Sequence, residues 1–141
     1  AETYMQANKS PLPKSAEYVP SNYDVKTTIR DNGDSVVYTI HYKTNEKINM
    51  YVGISVFYDG STIAEAATDL ARPLKRKGFV SIEFGKDRFN AGSYTIGAAL
   101  FKVDDRSLLR VCDDLEKFTV DGKDIMLGGA LKLGKNWEYS Q

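Results

Sequence analysis

The sequence predicts a two-sheet antiparallel β-sandwich, on three observations. Apolar and polar residues alternate with a period of two from Tyr23 onward, turn signals recur about every ten residues, and no stretch forms a convincing amphipathic helix. The turn signals are DNGD, YDGS, KRKG, FNAG, VDDR and VDGKD, each built from residues that tolerate left-handed backbone or bond their own main chain.

The elements follow in order. Residues 1–22 carry Pro11, Pro13 and Pro20 with no apolar period, and read as a linker or N-terminal arm ahead of a sandwich domain over 23–141. Val36, Tyr38, Ile40 and Tyr42 share one face of an early strand, with Val37, Thr39, His41 and Lys43 on the other. Met50, Val52, Ile54, Val56 and Tyr58 form the inward set of the next, opposite Tyr51, Gly53, Ser55 and Phe57. The DGS that follows suits a tight hairpin into TIAEAAT. In AEAATDLARPLK the alanines favour helix, but Pro73 and the short length favour strand plus loop. Val80, Ile82 and Phe84 point inward from the following strand. In AGSYTIGAALFKV, Tyr94, Ile96, Ala98 and Leu100 point inward, and Thr95, Gly97, Ala99 and Phe101 outward. Leu115 to Val120 closes the set with Phe118 and Val120 inward, giving about seven strands.

A chain of 141 residues suffices for one domain with its own core. Its 19 basic and 19 acidic residues balance, which argues against nucleic acid or an anionic membrane surface as the main partner. No apolar run of about 18 residues is present, so membrane insertion is not expected. Cys112 is the single cysteine, excluding an internal disulfide and favouring a cytoplasmic setting. The chain reads as a soluble protein or an excised soluble piece, and the missing initiator Met favours the piece.

The inventory for catalysis is thin, and the expectation is a non-enzyme with no cofactor and no metal. His41 reads as a surface or partly buried hydrogen-bonder, and Cys112, beside Asp113 and Asp114, as a structural cysteine at a strand end. Asp104-Asp105 and Asp113-Asp114 form no calcium-binding loop and read as solvated turn acids. Glu83 and Asp87 are poor candidates for a paired-carboxylate site. Gly129 to Asn136 falls one residue short of a P-loop, because Asn136 stands where the magnesium-binding hydroxyl belongs and too few residues follow for a helix. The segment 125–140 reads instead as a glycine-punctuated strand carrying Leu131, Leu133 and Trp137. It either pairs back onto its own sheet edge or, hinged at Gly128 and Gly129, crosses to a neighbouring copy.

The distinctive feature is aromatic supply: nine Tyr, six Phe and one Trp. Tyr38, Tyr42, Tyr94 and Phe118 belong to the core, whereas Tyr51, Phe57 and Phe101 fall on outward phases with Gly53, Ser55, Thr95, Gly97 and Ala99 between them. If these two strands are neighbours, as the third and sixth strands of an immunoglobulin-like sandwich are, rings wall a trough floored by small residues. Such a trough suits a sugar, whose C–H faces lie on rings while its hydroxyls find polar groups; it equally suits a partner chain or the exchanged tail. The candidate carbohydrate-binding residues are Tyr51, Ser55, Phe57, Thr95, Gly97, Ala99 and Phe101.

NEKINMYVGISVFYDGSTIAEAAT, followed by GFVSIEFGKDRFNAGSYTIGAALFKVDDRSLLRVCDDLEKFTVDG, resembles the C-terminal domain of Wzt-type ATPase subunits of O-antigen polysaccharide ABC transporters. The likeness spans most of Asp24 to Gly122 and lies in the order and spacing of strands. It implies an immunoglobulin-like sandwich acting as a non-catalytic carbohydrate-binding module at the cytoplasmic face of the bacterial inner membrane. Its ligand would be the modified non-reducing terminus of a lipid-linked O-antigen polysaccharide, whose recognition is coupled to export. A homodimer exchanging its C-terminal strand is also implied. So is a transporter membrane subunit as partner through the parent chain, with ATP bound elsewhere in that chain. The family's binding residues do not transfer position by position. The competing reading is a protein-interaction sandwich, an adaptor or surface-structure subunit, with no glycan ligand.

Overall fold

The computed structural model describes residues 22–122, 130–132 and 137–140. Its strands are β1 (Tyr23–Asp31), β2 (Ser35–Thr44), β3 (Met50–Tyr58), β4 (Ser61–Ala67), β5 (Lys77–Gly85), β6 (Gly92–Lys102), β7 (Leu108–Val111) and β8 (Glu116–Val120). The helical element among the described residues is a 3-10 turn at Lys86–Arg88. One sheet runs β1-β2-β5; the other runs β4-β3-β6-β7, with β8 also on β6, and every pairing is antiparallel. This is the connectivity of an immunoglobulin-like sandwich, with β3 and β6 central to the larger sheet.

The about seven expected strands become eight because the last is split. β7 lies opposite Ala99–Phe101 and β8 opposite Gly92–Ile96, on the same edge of β6. The two are one long edge strand interrupted between Val111 and Glu116. Thr27 of β1 spans this interruption from the other sheet, 3.8 Å from Cys112 Sγ and donating to Glu116 Oε2 at 3.4 Å.

The inward phases agree with the alternation. Val36, Tyr38, Ile40 and Tyr42 are buried against Met50, Val52, Ile54 and Val56, and against Tyr94, Ile96, Ala98 and Leu100. Val80, Ile82 and Phe84 of β5 are half-buried at the rim of this core. At one end the core is aromatic: Tyr94 and Phe118 stack at 5.2 Å, and Phe89 meets both rings edge-on. Tyr94 Oη donates to Asn90 O at 2.6 Å, so a tyrosine near the start of β6 ties down the chain that enters it. Tyr38 Oη is buried without a hydrogen-bond partner among the described residues, and burial pushes its pKa well above the ordinary phenol value.

AEAATDLARPLK is strand plus loop, as expected: β4 ends at Ala67, and Leu74 then forms an isolated bridge with Met50. The DGS hairpin also forms, with Asp59 and Gly60 both in the left-handed region at φ 53° and 83°, the two-residue turn that matches strand twist.

Of the C-terminal segment, Ala130 to Lys132 is described. Asn90 N donates to Ala130 O at 2.8 Å, Lys132 N donates to Arg88 O at 3.3 Å, and Leu131 bridges Phe89. These residues therefore lie against the same chain. Trp137 and Tyr139 are exposed. The rest of 125–140, most of the near-P-loop and the arm before Asn22 lie outside the described residues.

Candidate functional site

β3 and β6 are neighbours, and their register pairs Tyr51 with Phe101, Gly53 with Ala99, Ser55 with Gly97, and Phe57 with Thr95. All the candidate residues therefore share the outer face of the larger sheet. Packing then separates them into two groups.

Phe57 is buried rather than a wall. It packs with Ala99 and Val111, the last supplied by the edge strand, and Phe101 borders this cluster. Gly97 and Ala99 are buried as well, and Thr95 is half-buried. Tyr51 and Phe101 form the second group, with ring centroids 5.1 Å apart and planes inclined by 17°. The Phe101 ring leans across Gly53, where a Cβ would stand 3.1 Å from Phe101 Cε2. Glycine is what lets the ring settle there.

The open concavity lies on the β4 side of the ring pair. It encloses about 460 Å³, and its lining includes Tyr51, Gly53, Ser55 and Phe101 together with Glu65 and Ala67 of β4. Ser55, itself buried, donates to Glu65 Oε2 at 3.4 Å. Phe57, Thr95, Gly97 and Ala99 do not line it.

Glu65 escapes a sequence reading for a physical reason. A two-residue hairpin continued without interruption sets Ala64 opposite Ser55 and turns Glu65 to the other face. A register shift between Val56 and Phe57 moves the pairing by one, so Glu65 faces Ser55 while Ala64 and Ala66 turn to the core. The concavity thus presents a stacked ring pair, one carboxylate, the hydroxyls of Ser55 and Tyr51, and a floor of small residues. Ring faces take the C–H side of a pyranose, and a carboxylate accepts bonds from its hydroxyls.

The remaining polar candidates take structural places. His41 is exposed beside Phe79, with ring centroids 5.8 Å apart. Cys112 is buried just past the end of β7, its N donating to Ala98 O at 3.0 Å. Glu83 accepts from Ser35 Oγ at 2.7 Å, and Asp113 pairs with Arg110 at 3.3 Å. The Asp105 carboxylate accepts from Ser107 N at 3.0 Å, and hydrogen bonding to Ser107 lowers its pKa. No group of three or more His, Cys, Asp or Glu suited to a metal occurs among the described residues, and no described helix is long and apolar enough to cross a membrane.

The connectivity, the anchoring Tyr94 and the aromatic concavity on the larger sheet define an immunoglobulin-like sandwich with a ring-bearing face. Among solved structures, the C-terminal domain of Wzt shares this fold at a TM-score of 0.65, covering 85% of each chain at 14% identity. Weaker likenesses include OgpA from Akkermansia muciniphila, with a TM-score of 0.46 and 16% identity over 72% of this chain and 29% of that one. HBP35 of Porphyromonas gingivalis is similar at a TM-score of 0.48 and 12% identity, over 77% of this chain and 46% of that one. No family model and no curated protein matches the chain.

Proposed function

We propose that this domain is a non-catalytic carbohydrate-binding module that recognises the modified non-reducing terminus of a lipid-linked O-antigen polysaccharide. The recognition couples the finished polymer to export by an ABC transporter. The observation that carries this reading is the stacked Tyr51–Phe101 pair beside an open concavity holding Glu65 and Ser55, on a fold like that of the C-terminal domain of Wzt.

In this reading the parent chain is a transporter ATPase at the cytoplasmic face of the inner membrane, contacting the membrane subunit, and ATP binds outside this domain. The domain dimerises by exchanging its C-terminal strand. The main-chain groups of Arg88 and Asn90 that pair with Lys132 and Ala130 offer the seat, since a strand from a second copy makes the same bonds.

The test is calorimetric titration with purified, capped O-polysaccharide and with the same polymer uncapped. Selective binding that Tyr51→Ala abolishes, in a variant with unchanged thermal stability, supports the reading. Absence of binding to either polymer by a folded sample transfers the assignment to a protein-interaction sandwich. Exposed Phe79, Trp137 and Tyr139 favour that second reading, and a stoichiometric protein partner recovered by pull-down is its positive sign.

A further inference from the structure

At one end of the sandwich the loops following β2, β4 and β6 frame an open surface cavity of about 640 Å³. Its charged lining is Lys47, Lys75, Arg76 and Lys102, against Glu46 and Asp104. Two observations distinguish it from a chance group of surface cations.

The first is the frame. Met50 N donates to Leu74 O at 3.0 Å and Leu74 N returns the bond to Met50 O at 2.8 Å, while Val103 N donates to Asn49 O at 2.9 Å. Thr44 N donates to Arg76 O at 2.7 Å, and Arg76 is held in the left-handed region at φ 63°. Main-chain bonds thus fix all three loops to one another.

The second is charge. None of the four cations lies within ion-pair distance of a described carboxylate. Glu46 accepts from Asn22 Nδ2 at 2.7 Å, and the four lining cations outnumber the two lining carboxylates, Glu46 and Asp104. The lining thus carries an excess of positive charge, and guanidinium and ammonium donors match phosphate or carboxylate oxygens.

We propose that this cavity is an oxyanion site that takes a phosphate or carboxylate group. It uses none of the residues of the aromatic concavity, so it stands whether or not a glycan binds there.

The test is titration of the isotope-labelled 141-residue chain with inorganic phosphate, and separately with glucuronate, followed by amide NMR. Sodium chloride at equal ionic strength is the control. The expected result is saturable shifts at the loop residues around Lys47, Arg76 and Lys102 that chloride does not reproduce. Saturation by phosphate alone makes the site phosphate-selective, and saturation by both makes it a general oxyanion site. Lys75→Gln with Lys102→Gln is expected to weaken binding about tenfold or more, the loss of charge-assisted bonds. Arg76→Gly, which keeps the left-handed backbone while removing the guanidinium, is expected to weaken it in the same direction. Shifts identical in chloride, shifts spread over lysines remote from these loops, or affinity unchanged in both folded variants overturns the proposal. Tyr51→Ala is expected to leave phosphate binding unaltered, which separates this test from that of the glycan reading.

Discussion

Tyr38 and Tyr94 offer a paired test of the hydrogen-bond assignments, because both are buried and both become Phe without loss of ring packing. Tyr94 Oη donates to Asn90 O at 2.6 Å, with Ala130 O also near at 3.3 Å. Removing this hydroxyl is expected to cost about 1 kcal/mol, the net contribution of one bond, and up to about 2 kcal/mol with the stranded carbonyl. Tyr38 Oη makes no hydrogen bond of good geometry among the described residues, although the Thr27 hydroxyl lies near enough to lower its pKa against the larger effect of burial. Its burial carries a desolvation penalty of about 1–3 kcal/mol that Tyr38→Phe removes, partly offset by lost contacts around the vacated oxygen. The expected change is therefore between zero and about 1 kcal/mol of added stability. Urea unfolding reads the difference: with a slope of about 1–3 kcal/mol/M, a change of 1 kcal/mol moves the midpoint by roughly 0.3–1 M. Opposite signs at unchanged slope support the assignment. A loss above about 1 kcal/mol for Tyr38→Phe refutes it, because a hydroxyl worth that much is bonded, directly or through a buried water.

Three further outcomes are expected. Gly53→Ala sets a methyl 3.1 Å from Phe101 Cε2, so the ring shifts; a loss of polysaccharide affinity with stability lowered by roughly 1 kcal/mol or less is the expected pair of readouts. Asp31 accepts from Lys86 Nζ at 2.7 Å and from Gly33 N at 2.8 Å, and the Lys86 bond chiefly holds its pKa below the ordinary carboxylate value. A depressed carboxylate contributes above its unfolded pKa of about 3.9 and loses that contribution as pH falls toward the lower folded value. Denaturation curves between pH 5 and 2 are expected to show a shallower acid loss in Asp31→Asn than in the wild type, and an identical slope removes the role of this pair. Deleting residues 128–141 is expected to give a monomer or an insoluble product by sedimentation, whereas an unaltered dimer argues against strand exchange.

How far the sequence reveals this structure depends on what each element needs to be recognised. β2, β3 and β6 carry an uninterrupted period of two, and their buried faces are the ones alternation selects. The neighbouring positions of Tyr51 and Phe101 follow from the same rule once the third and sixth strands pair. Alternation assigns a face but not its cover, so Phe57 reads as outward although Ala99 and Val111 enclose it. Nor does it reveal a one-residue register shift, which brings Glu65 to the concavity and takes Ala64 away. The cation cavity is assembled from loops remote in sequence, joined by main-chain bonds that no local pattern encodes.

The interrupted strand at the edge of the larger sheet has a consequence for assembly. An incoming strand needs a straight row of free N–H and C=O groups to zip onto. The edge formed by β7 and β8 is broken between Val111 and Glu116, where Asp113 and Asp114 stand exposed. The opposite border, β4, runs from Ser61 to Ala67 without a gap. Among the described residues the sheet thus has one broken margin and one continuous margin, so strand addition by a second polypeptide is easier at β4, beside the concavity that Glu65 helps to line.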